Sequence, residues 1–234
     1  MNGAIKAVLF DLDGTLLDTA QDFHESLNQL RAEESLAPLS FETVRAQVSH
    51  GGHALVRLGF GTLEPDAHET MRMRLLNIYR QRLARFTRLF EGGDEMLDAI
   101  EQRGLAWGIV TNKPGWLTDP LLIEVNLHER VGVVVSGDTL SERKPHPLPL
   151  LHAANTMGVE PGECVFVGDA ERDAQAAEAA GMYSLIAGFG YIGDGDRADE
   201  WFQHGWLNTP LDLLGWLDKS ARTPARAAKG NGRA

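Results

Sequence analysis

The chain has 234 residues, of which 43% are hydrophobic and 24% are charged, and its formal net charge is −11. This composition is typical of a globular protein with a sizeable core, and it excludes a fibrous or wholly disordered chain. An acidic chain without a basic stripe is poorly suited to nucleic acid or an anionic membrane. We therefore expect neither of these partners, and the sequence leaves the oligomeric state open.

The single cysteine, Cys164, excludes an intrachain disulfide and a zinc site built from cysteine pairs. A lone thiol suits a reducing compartment, so we expect a cytoplasmic protein. The longest apolar run near the N-terminus, Ala7–Phe10, is too short for a signal peptide or a membrane span.

The first predicted element is a strand at Ala7–Phe10, because a short continuous apolar run is typical of a parallel sheet covered on both faces. Residues 18–88 then show helical spacing and no strand pattern. The segment 19–22, Thr-Ala-Gln-Asp, matches a capping box at the start of the first helix. Further along, five arginines between 72 and 85 are interpreted as a solvated helix face paired with acidic residues.

From residue 94 onward, helical and strand patterns alternate. The predicted helices are 96–102, 117–125, 148–157 and 173–180, and the predicted strands are 106–110, 131–135, 164–167 and 183–187. This alternation favours right-handed βαβ units and an open parallel sheet. We predict an α/β protein with a Rossmann-like core at 1–17 and 89–219. A helical cap domain is inserted at 18–88, and residues 220–234 are predicted to be a disordered tail.

Polar side chains follow the predicted strands at four places along the chain. They are Asp11 and Asp13, Thr111, Lys144, and Asp169 and Asp173. In an open α/β sheet, ligands bind beyond the carboxyl ends of the strands, so these side chains are expected to converge. Several carboxylates at one place repel one another unless a cation joins them. Oxygen ligands without histidine or cysteine favour Mg²⁺.

This set of residue types suits phosphoryl transfer. A carboxylate beside Mg²⁺ can attack phosphorus and form an aspartyl phosphate. A second carboxylate two residues further on can protonate the leaving oxygen and then activate water. A hydroxyl and an ammonium group can hold the oxygens of the phosphoryl group.

Four segments carry a resemblance to a known family. They are Phe10–Leu16 (FDLDGTL), Val110–Lys113 (VTNK), Lys144–Pro147 (KPHP) and Val167–Asp173 (VGDAERD). In this order they resemble the four motifs of the haloacid dehalogenase (HAD) superfamily, and the resemblance covers roughly residues 5–215. The helical insertion after the first motif is similar to the C1 cap of that superfamily.

The resemblance implies roles for the two carboxylates of the first motif. Asp11 would be the nucleophile and a Mg²⁺ ligand. Asp13 would be the general acid/base and would offer its backbone carbonyl to the metal. The presence of Asp13 favours phosphatases and phosphomutases over the dehalogenases, which have no acid/base carboxylate at that position.

The later motifs would complete the same site. By resemblance, Thr111, with Asn112 beside it, would bind the phosphoryl group, and Lys144 would neutralise charge on the nucleophile and the phosphoryl oxygens. Asp169 would be a direct Mg²⁺ ligand. Asp173 would play a supporting part by orienting Lys144 or metal-bound water.

The expected function is a Mg²⁺-dependent phosphomonoesterase that hydrolyses a small phosphorylated metabolite through an aspartyl phosphate. Residues 107–114 and 190–192 are similar to segments of phosphoglycolate phosphatases and of N-acetylmuramic acid 6-phosphate phosphatases. A phosphoglycolate phosphatase-like activity is the first expectation, and a sugar phosphate phosphatase is the alternative. A phosphomutase is a weaker alternative, because no signature for retaining the phosphoryl group is visible.

Substrate specificity is expected to come from the cap. The segment 49–53, Ser-His-Gly-Gly-His, is either a plain helix–helix turn or a loop that contacts the substrate. The candidate contacts to the leaving group are His50, Gly51, Gly52, His53 and Arg57.

Two other functions are rejected on the sequence. Residues 188–193 match the GxGxxG pattern after a predicted strand, but Asp194-Gly195-Asp196 follows where a dinucleotide site needs a helix. A phospho-receiver module also places an acceptor aspartate, a threonine and a lysine at strand ends. However, such modules are about half this length and lack an acid/base like Asp13.

Overall fold

A computed structural model describes residues 4–193 and 195–222 of the chain. The strands are β1 (Ala7–Phe10), β2 (Leu17–Asp18), β3 (Arg88–Leu89), β4 (Ala106–Val110), β5 (Val133–Val135), β6 (Cys164–Gly168), β7 (Tyr183–Ala187) and β8 (Gly205–Leu207). The α-helices are α1 (Ala20–Glu33), α2 (Phe41–Val48), α3 (Gly51–Phe60), α4 (Pro65–Arg80), α5 (Gly93–Gln102), α6 (Gly115–Glu124), α7 (Leu148–Thr156), α8 (Glu171–Ala180) and α9 (Asp212–Arg222). Short 3₁₀ turns lie at Pro161–Glu163 and Ala198–Glu200.

Six strands form one parallel sheet in the order β5-β4-β1-β6-β7-β8, which confirms the predicted α/β fold class. In the register of the central strands, Phe10 pairs with Ile109 on one side and Val167 on the other. The loops that follow β1, β4 and β6 therefore begin at nearly the same level. This register brings the first, second and fourth motifs to one edge of the sheet.

The central strand is buried on both faces, as its continuous apolar sequence predicts. Val8 and Phe10 pack into a cluster with residues of α5, α6 and α9. Ala7 and Leu9 point to the other face and pack with residues of α7 and α8. Alternate residues of β1 thus anchor the two helical layers, and the site beyond the strand has a rigid base.

Helices α1 to α4 form the insertion and share a hydrophobic cluster, which Leu117 and Tyr191 of the α/β core also join. Leu27, Leu55, Leu75 and Tyr79 are fully buried in it, one from each of α1 and α3 and two from α4. The expected absence of strands in this block is wrong at its border, because β2 and β3 form a two-residue antiparallel pair. A pair this short has no alternating pattern to detect in a sequence. A boundary for the cap domain at residues 18 and 88 remains our proposal.

The first helix of the insertion does not begin with the predicted capping box. The Thr19 hydroxyl turns away from the helix and donates to Asp13 Oδ1 at 2.7 Å. The Tyr191 hydroxyl instead accepts from the backbone N–H groups of Thr19 (2.6 Å) and Ala20 (2.9 Å). Two backbone N–H groups at the start of α1 are thus satisfied by a residue about 170 positions away, which a local pattern cannot reveal.

Asp22, the last residue of that four-residue pattern, links the two ends of the insertion. Its buried carboxylate accepts from the backbone N–H groups of Phe86 (3.1 Å) and Thr87 (3.0 Å) and from the Thr87 hydroxyl (2.7 Å). The first turn of α1 is therefore held against the chain just before β3.

The C-terminal part contains two elements that the sequence patterns did not predict, β8 and α9. Leu213 and Leu217 of α9 pack into the core cluster against the sheet. Residues 220–222 are helical, so the predicted tail is wrong for these three positions, and residues 223–234 lie outside the described part of the chain. No helix in the described ranges is long and apolar enough to cross a membrane.

Candidate active site

Three buried carboxylates meet at the carboxyl edge of the sheet. Asp11 follows β1, and Asp169 and Asp173 follow β6. One oxygen of each lies within 4.8 Å of the others. A set that offers only oxygen ligands and concentrates negative charge fits a hard divalent cation. These residues can therefore hold a metal ion.

Lys144 lies between two of these carboxylates. Its buried Nζ atom is 2.9 Å from Asp11 Oδ1 and 2.7 Å from Asp173 Oδ1. This is the geometry expected if Asp173 orients Lys144 and Lys144 neutralises charge on Asp11. Asn112 donates from Nδ2 to the Lys144 carbonyl at 2.9 Å, so its side chain holds the loop that carries the lysine.

The carboxylate cluster is electrostatically strained when no cation is bound. Burial, together with the negative charges of Asp11 and Asp173, raises the pKa of Asp169 to about 7. Burial also raises the pKa of Asp173, and the ion pair with Lys144 opposes that shift. A divalent cation would favour the ionised forms and remove this penalty.

The Asp13 carboxylate is separate from that cluster. It accepts from Lys113 Nζ at 2.8 and 3.2 Å and from the Thr19 hydroxyl at 2.7 Å. Its side chain is thus held by a core lysine and by the first residue before α1. A metal contact by Asp13 would have to come from its backbone carbonyl, as the family resemblance implies, and this stays a prediction.

A cavity of about 550 Å³ opens between this edge of the sheet and the inserted helices. From the core it is lined by Asp11, Asp13, Thr111, Asn112 and Lys144, and from the insertion by His50, Gly51, Gly52 and His53. Arg57 is not among the lining residues and lies exposed on α3, so the structure does not bring this candidate to the site. Every other site residue predicted from the sequence lies either at the cavity or in the acidic cluster of Asp11, Asp169 and Asp173.

A family model described as "Haloacid dehalogenase-like hydrolase" matches residues 8–187. The chain belongs to this family. Phosphoglycolate phosphatase from Xanthomonas campestris is 46% identical over 192 residues, which cover 82% of this chain and 87% of that protein. N-acetylmuramic acid 6-phosphate phosphatase from Pseudomonas aeruginosa is 38% identical over 217 residues, which cover 92% of this chain and 96% of that protein.

A crystal structure described as a predicted phosphoglycolate phosphatase from Haemophilus somnus has the same fold, with a TM-score of 0.79 and 25% identity. The match covers 91% of this chain and 97% of that one. Together with the sequence relatives, it confirms the predicted enzyme class, a phosphatase of the HAD-like hydrolases.

In this HAD-like hydrolase, Lys113 is a buried site residue that sequence reasoning missed. Besides its ion pair with Asp13, Nζ donates to the Tyr79 hydroxyl at 3.0 Å and lies 4.4 and 4.8 Å from the ring centres of Tyr79 and Phe23. Both rings come from the insertion, on α4 and α1. Lys113 is the last residue of the second motif, but its aromatic partners lie 34 and 90 positions away, and no local pattern identifies them.

Arg72 is the second missed residue, because the arginines of α4 were interpreted as a solvated face. Arg74 agrees with that interpretation and pairs with Glu33 and Glu34. Arg72 pairs with Glu69 at 2.6 Å but also lines the cavity. A Cβ at Gly52 would lie 3.3 Å from Arg72 Cγ, so this glycine leaves room for the arginine stem.

The glycine-rich loop after β7 packs against residues of the first and fourth motifs. In the described part of the chain, no α-helix follows this loop before Asp212. A Cβ at Gly190 would lie 2.4 Å from the Gly14 carbonyl and 2.5 Å from Asp169 Cβ. The glycine therefore allows the loop to approach the first and fourth motifs closely. The next residue, Tyr191, donates its backbone N–H to Asp169 Oδ2 at 2.9 Å.

Proposed function

We propose that this HAD-like phosphatase is a Mg²⁺-dependent phosphomonoesterase that acts on a small phosphorylated metabolite through an aspartyl phosphate on Asp11. The observation that carries the proposal is the Asp11 carboxylate, paired with the buried Lys144 at 2.9 Å and facing a cavity that also holds Asp13. A nucleophile (Asp11), an ammonium group (Lys144) and an acid/base (Asp13) are thus available at one end of the cavity.

The side chains of Asp11 and Asp169 would hold the Mg²⁺ ion, together with the backbone carbonyl of Asp13. Two observations support this assignment of the metal ligands: the cluster offers only oxygen donors, and the pKa of Asp169 is raised. When bound, the ion would neutralise the carboxylates and the phosphoryl oxygens, so that an anionic nucleophile can approach an anionic phosphate.

In the first step, an oxygen of Asp11 forms a bond to phosphorus, and the bond from phosphorus to the leaving alcohol oxygen breaks. The protonated Asp13 carboxyl gives its proton to that oxygen, so the product leaves as a neutral alcohol group. Thr111 and Lys144 hold the oxygens of the phosphoryl group during the transfer.

In the second step, the ionised Asp13 takes a proton from water as the water oxygen attacks phosphorus. The bond between phosphorus and Asp11 breaks, inorganic phosphate is released, and Asp13 is left protonated for the next cycle. Lys113 holds the Asp13 carboxylate in place for this step, with Nζ 2.8 Å from Asp13 Oδ1.

Cationic side chains at the cavity favour a leaving group that is itself an anion. Arg143 lines the cavity and has no ion-pair partner among the described residues, and the buried Nε of Arg172 has no hydrogen-bond partner there either. Arg72 and His53 add positive or polarisable groups from the insertion. Glycolate and N-acetylmuramic acid both carry a carboxylate besides the hydroxyl that is phosphorylated. We favour phosphoglycolate and keep N-acetylmuramic acid 6-phosphate as the alternative.

We expect Arg143→Gln to lower kcat/KM for 2-phosphoglycolate about 10- to 100-fold, because a charge-assisted hydrogen bond to the carboxylate is lost. Hydrolysis of glycerol 2-phosphate, whose leaving group is uncharged, should change less than about threefold. Steady-state kinetics with both substrates measures the difference. Arg57→Gln, an exposed arginine outside the cavity, is the matched control, and an equal loss on both substrates would contradict the recognition of a carboxylate.

The function itself is tested by phosphate release from a panel of phosphomonoesters in the presence of Mg²⁺. The panel contains 2-phosphoglycolate, N-acetylmuramic acid 6-phosphate, hexose phosphates and nucleoside monophosphates. Hydrolysis of one compound well above the others supports the proposal and identifies the substrate. Phosphate that stays on the protein without release would favour a phosphomutase instead.

We also propose that the enzyme works in the cytoplasm without a nucleic-acid partner. The support for the compartment is Cys164, a free and buried thiol that is the only cysteine of the sequence, since an unpaired cysteine suits a reducing compartment. The net charge of −11 disfavours binding to nucleic acid.

A further inference from the structure

One residue of the insertion reaches the acidic cluster directly. Ser49 is buried at the end of α2, and its hydroxyl donates to Asp169 Oδ2 at 2.6 Å. Asp169 belongs to the core and follows β6. The insertion therefore contributes a hydrogen bond to a carboxylate that can hold a metal ion.

The two oxygens of Asp169 have different surroundings. Oδ2 accepts two short hydrogen bonds, from the Ser49 hydroxyl at 2.6 Å and from the backbone N–H of Tyr191 at 2.9 Å. Oδ1 has one longer contact, to the Thr15 hydroxyl at 3.2 Å. Oδ2 is thus occupied by protein donors, and Oδ1 keeps the capacity to face a cation. Hydrogen bonds of this kind orient ligating carboxylates and tune their affinity for the metal.

The helix that carries Ser49 is itself fastened to the core. Arg45, one turn earlier on α2, donates from Nη2 to the carbonyl of Gly190 at 2.7 Å and of Phe189 at 3.3 Å. Its guanidinium carbon lies 4.8 Å from the centre of the Tyr191 ring. The same loop, 189–191, thus receives Arg45 and supplies the second donor to Asp169. The same loop therefore both holds α2 against the core and orients the Asp169 carboxylate.

We propose that Ser49 is a positioning residue that holds Asp169 in the orientation that binds the divalent cation, so that the cation binds most tightly when the cap is docked. The inference rests on the proposed function in that it takes Asp169 as a metal ligand. Because coupling between two equilibria is reciprocal, the bound cation must favour the docked cap by the same factor.

The test is a calorimetric titration of the metal-free protein with Mg²⁺, which reads metal affinity without turnover. Ser49→Ala is expected to raise the Kd for Mg²⁺ about 10- to 100-fold, the range for loss of a hydrogen bond to a metal ligand. Ser40→Ala is the matched control, since Ser40 lies at the other end of α2 and bonds only within the cap, to Thr43. It should leave the Kd unchanged within about twofold.

A second variant separates docking from the direct hydrogen bond. Arg45→Gln removes the contacts to the 189–191 loop without touching Asp169, and it is expected to raise the Kd severalfold. An unchanged Kd in Arg45→Gln would overturn the dependence on cap docking. A Kd for Ser49→Ala equal to that of the wild type would overturn the positioning role.

Failure of the inference and failure of the proposed function give different results. A wild-type protein that binds Mg²⁺ and hydrolyses phosphomonoesters, with Ser49→Ala indistinguishable from it in Mg²⁺ affinity, would refute only the role of Ser49. A wild-type protein that binds no Mg²⁺ in the titration would refute both.

Discussion

Asp11→Asn is expected to lower the rate of phosphate release by about 10⁴-fold or more while the fold stays intact. An amide nitrogen or oxygen cannot replace the carboxylate as a nucleophile toward phosphorus. The side chain keeps its size, and the change removes one negative charge from a buried cluster of three carboxylates, so repulsion falls. Phosphate release under single-turnover and steady-state conditions, together with thermal unfolding, measures both parts of the expectation.

A matched control for this substitution is Asp119→Asn, which changes an exposed aspartate on α6. It should retain wild-type turnover. If Asp11→Asn unfolds the protein, Asp11 has a structural role. If it retains more than about one hundredth of the activity, another group forms the bond to phosphorus.

Removal of Mg²⁺ is the second change with a large expected effect. Chelation with EDTA should lower phosphate release at least about 100-fold, and added Mg²⁺ should restore it, because the carboxylates and the phosphate otherwise repel one another. Saturating Mg²⁺ should also raise the Tm by about 5–10 °C, because the ion binds the folded state only. A rate that does not depend on Mg²⁺ would contradict the proposed metal site.

This stabilisation should depend on pH in a defined direction. The folded-state pKa of Asp169 is about 7, well above the usual value for an aspartate. The metal-free folded state therefore binds a proton more tightly than the unfolded state, and its free energy of unfolding falls as the pH rises from about 4 to 7. Mg²⁺ competes with that proton, so the rise in Tm should be larger at pH 8 than at pH 6. Asp169→Asn should remove this difference, and an equal rise at both pH values in the wild-type protein would contradict the linkage.

The core and its motifs could be predicted because the information is local. The first, second and fourth motifs lie at the ends of apolar strands such as Ala7–Phe10 and Cys164–Gly168, and parallel strands in register carry their end residues to one edge. The chemistry of the edge then follows from residue types. The positions of the strand ends alone were enough to predict that Asp11, Thr111 and Asp169 lie close together.

The contacts between cap and core could not be predicted in this way, because they join residues far apart in the chain. The Tyr191 hydroxyl accepts from a backbone N–H at the start of α1, and Lys113 lies against aromatic rings of α1 and α4. Ser49 donates a hydrogen bond to Asp169, which is 120 positions further along the chain. Thr19 shows the same effect in reverse. Its sequence pattern favours a capping box, but a tertiary hydrogen bond to Asp13 takes the hydroxyl instead.

The short antiparallel pair of β2 and β3 has a consequence for how such enzymes can diversify. Leu17 pairs with Leu89 and Asp18 with Arg88, so the chain leaves the core and re-enters it at adjacent points. An inserted segment with neighbouring ends can be replaced by one of different length without moving the strands that it interrupts. A chimaera that carries a relative's insertion at this junction would keep Arg143 of the core and exchange only the lining residues that the insertion supplies, so it would separate the two contributions to the leaving-group preference.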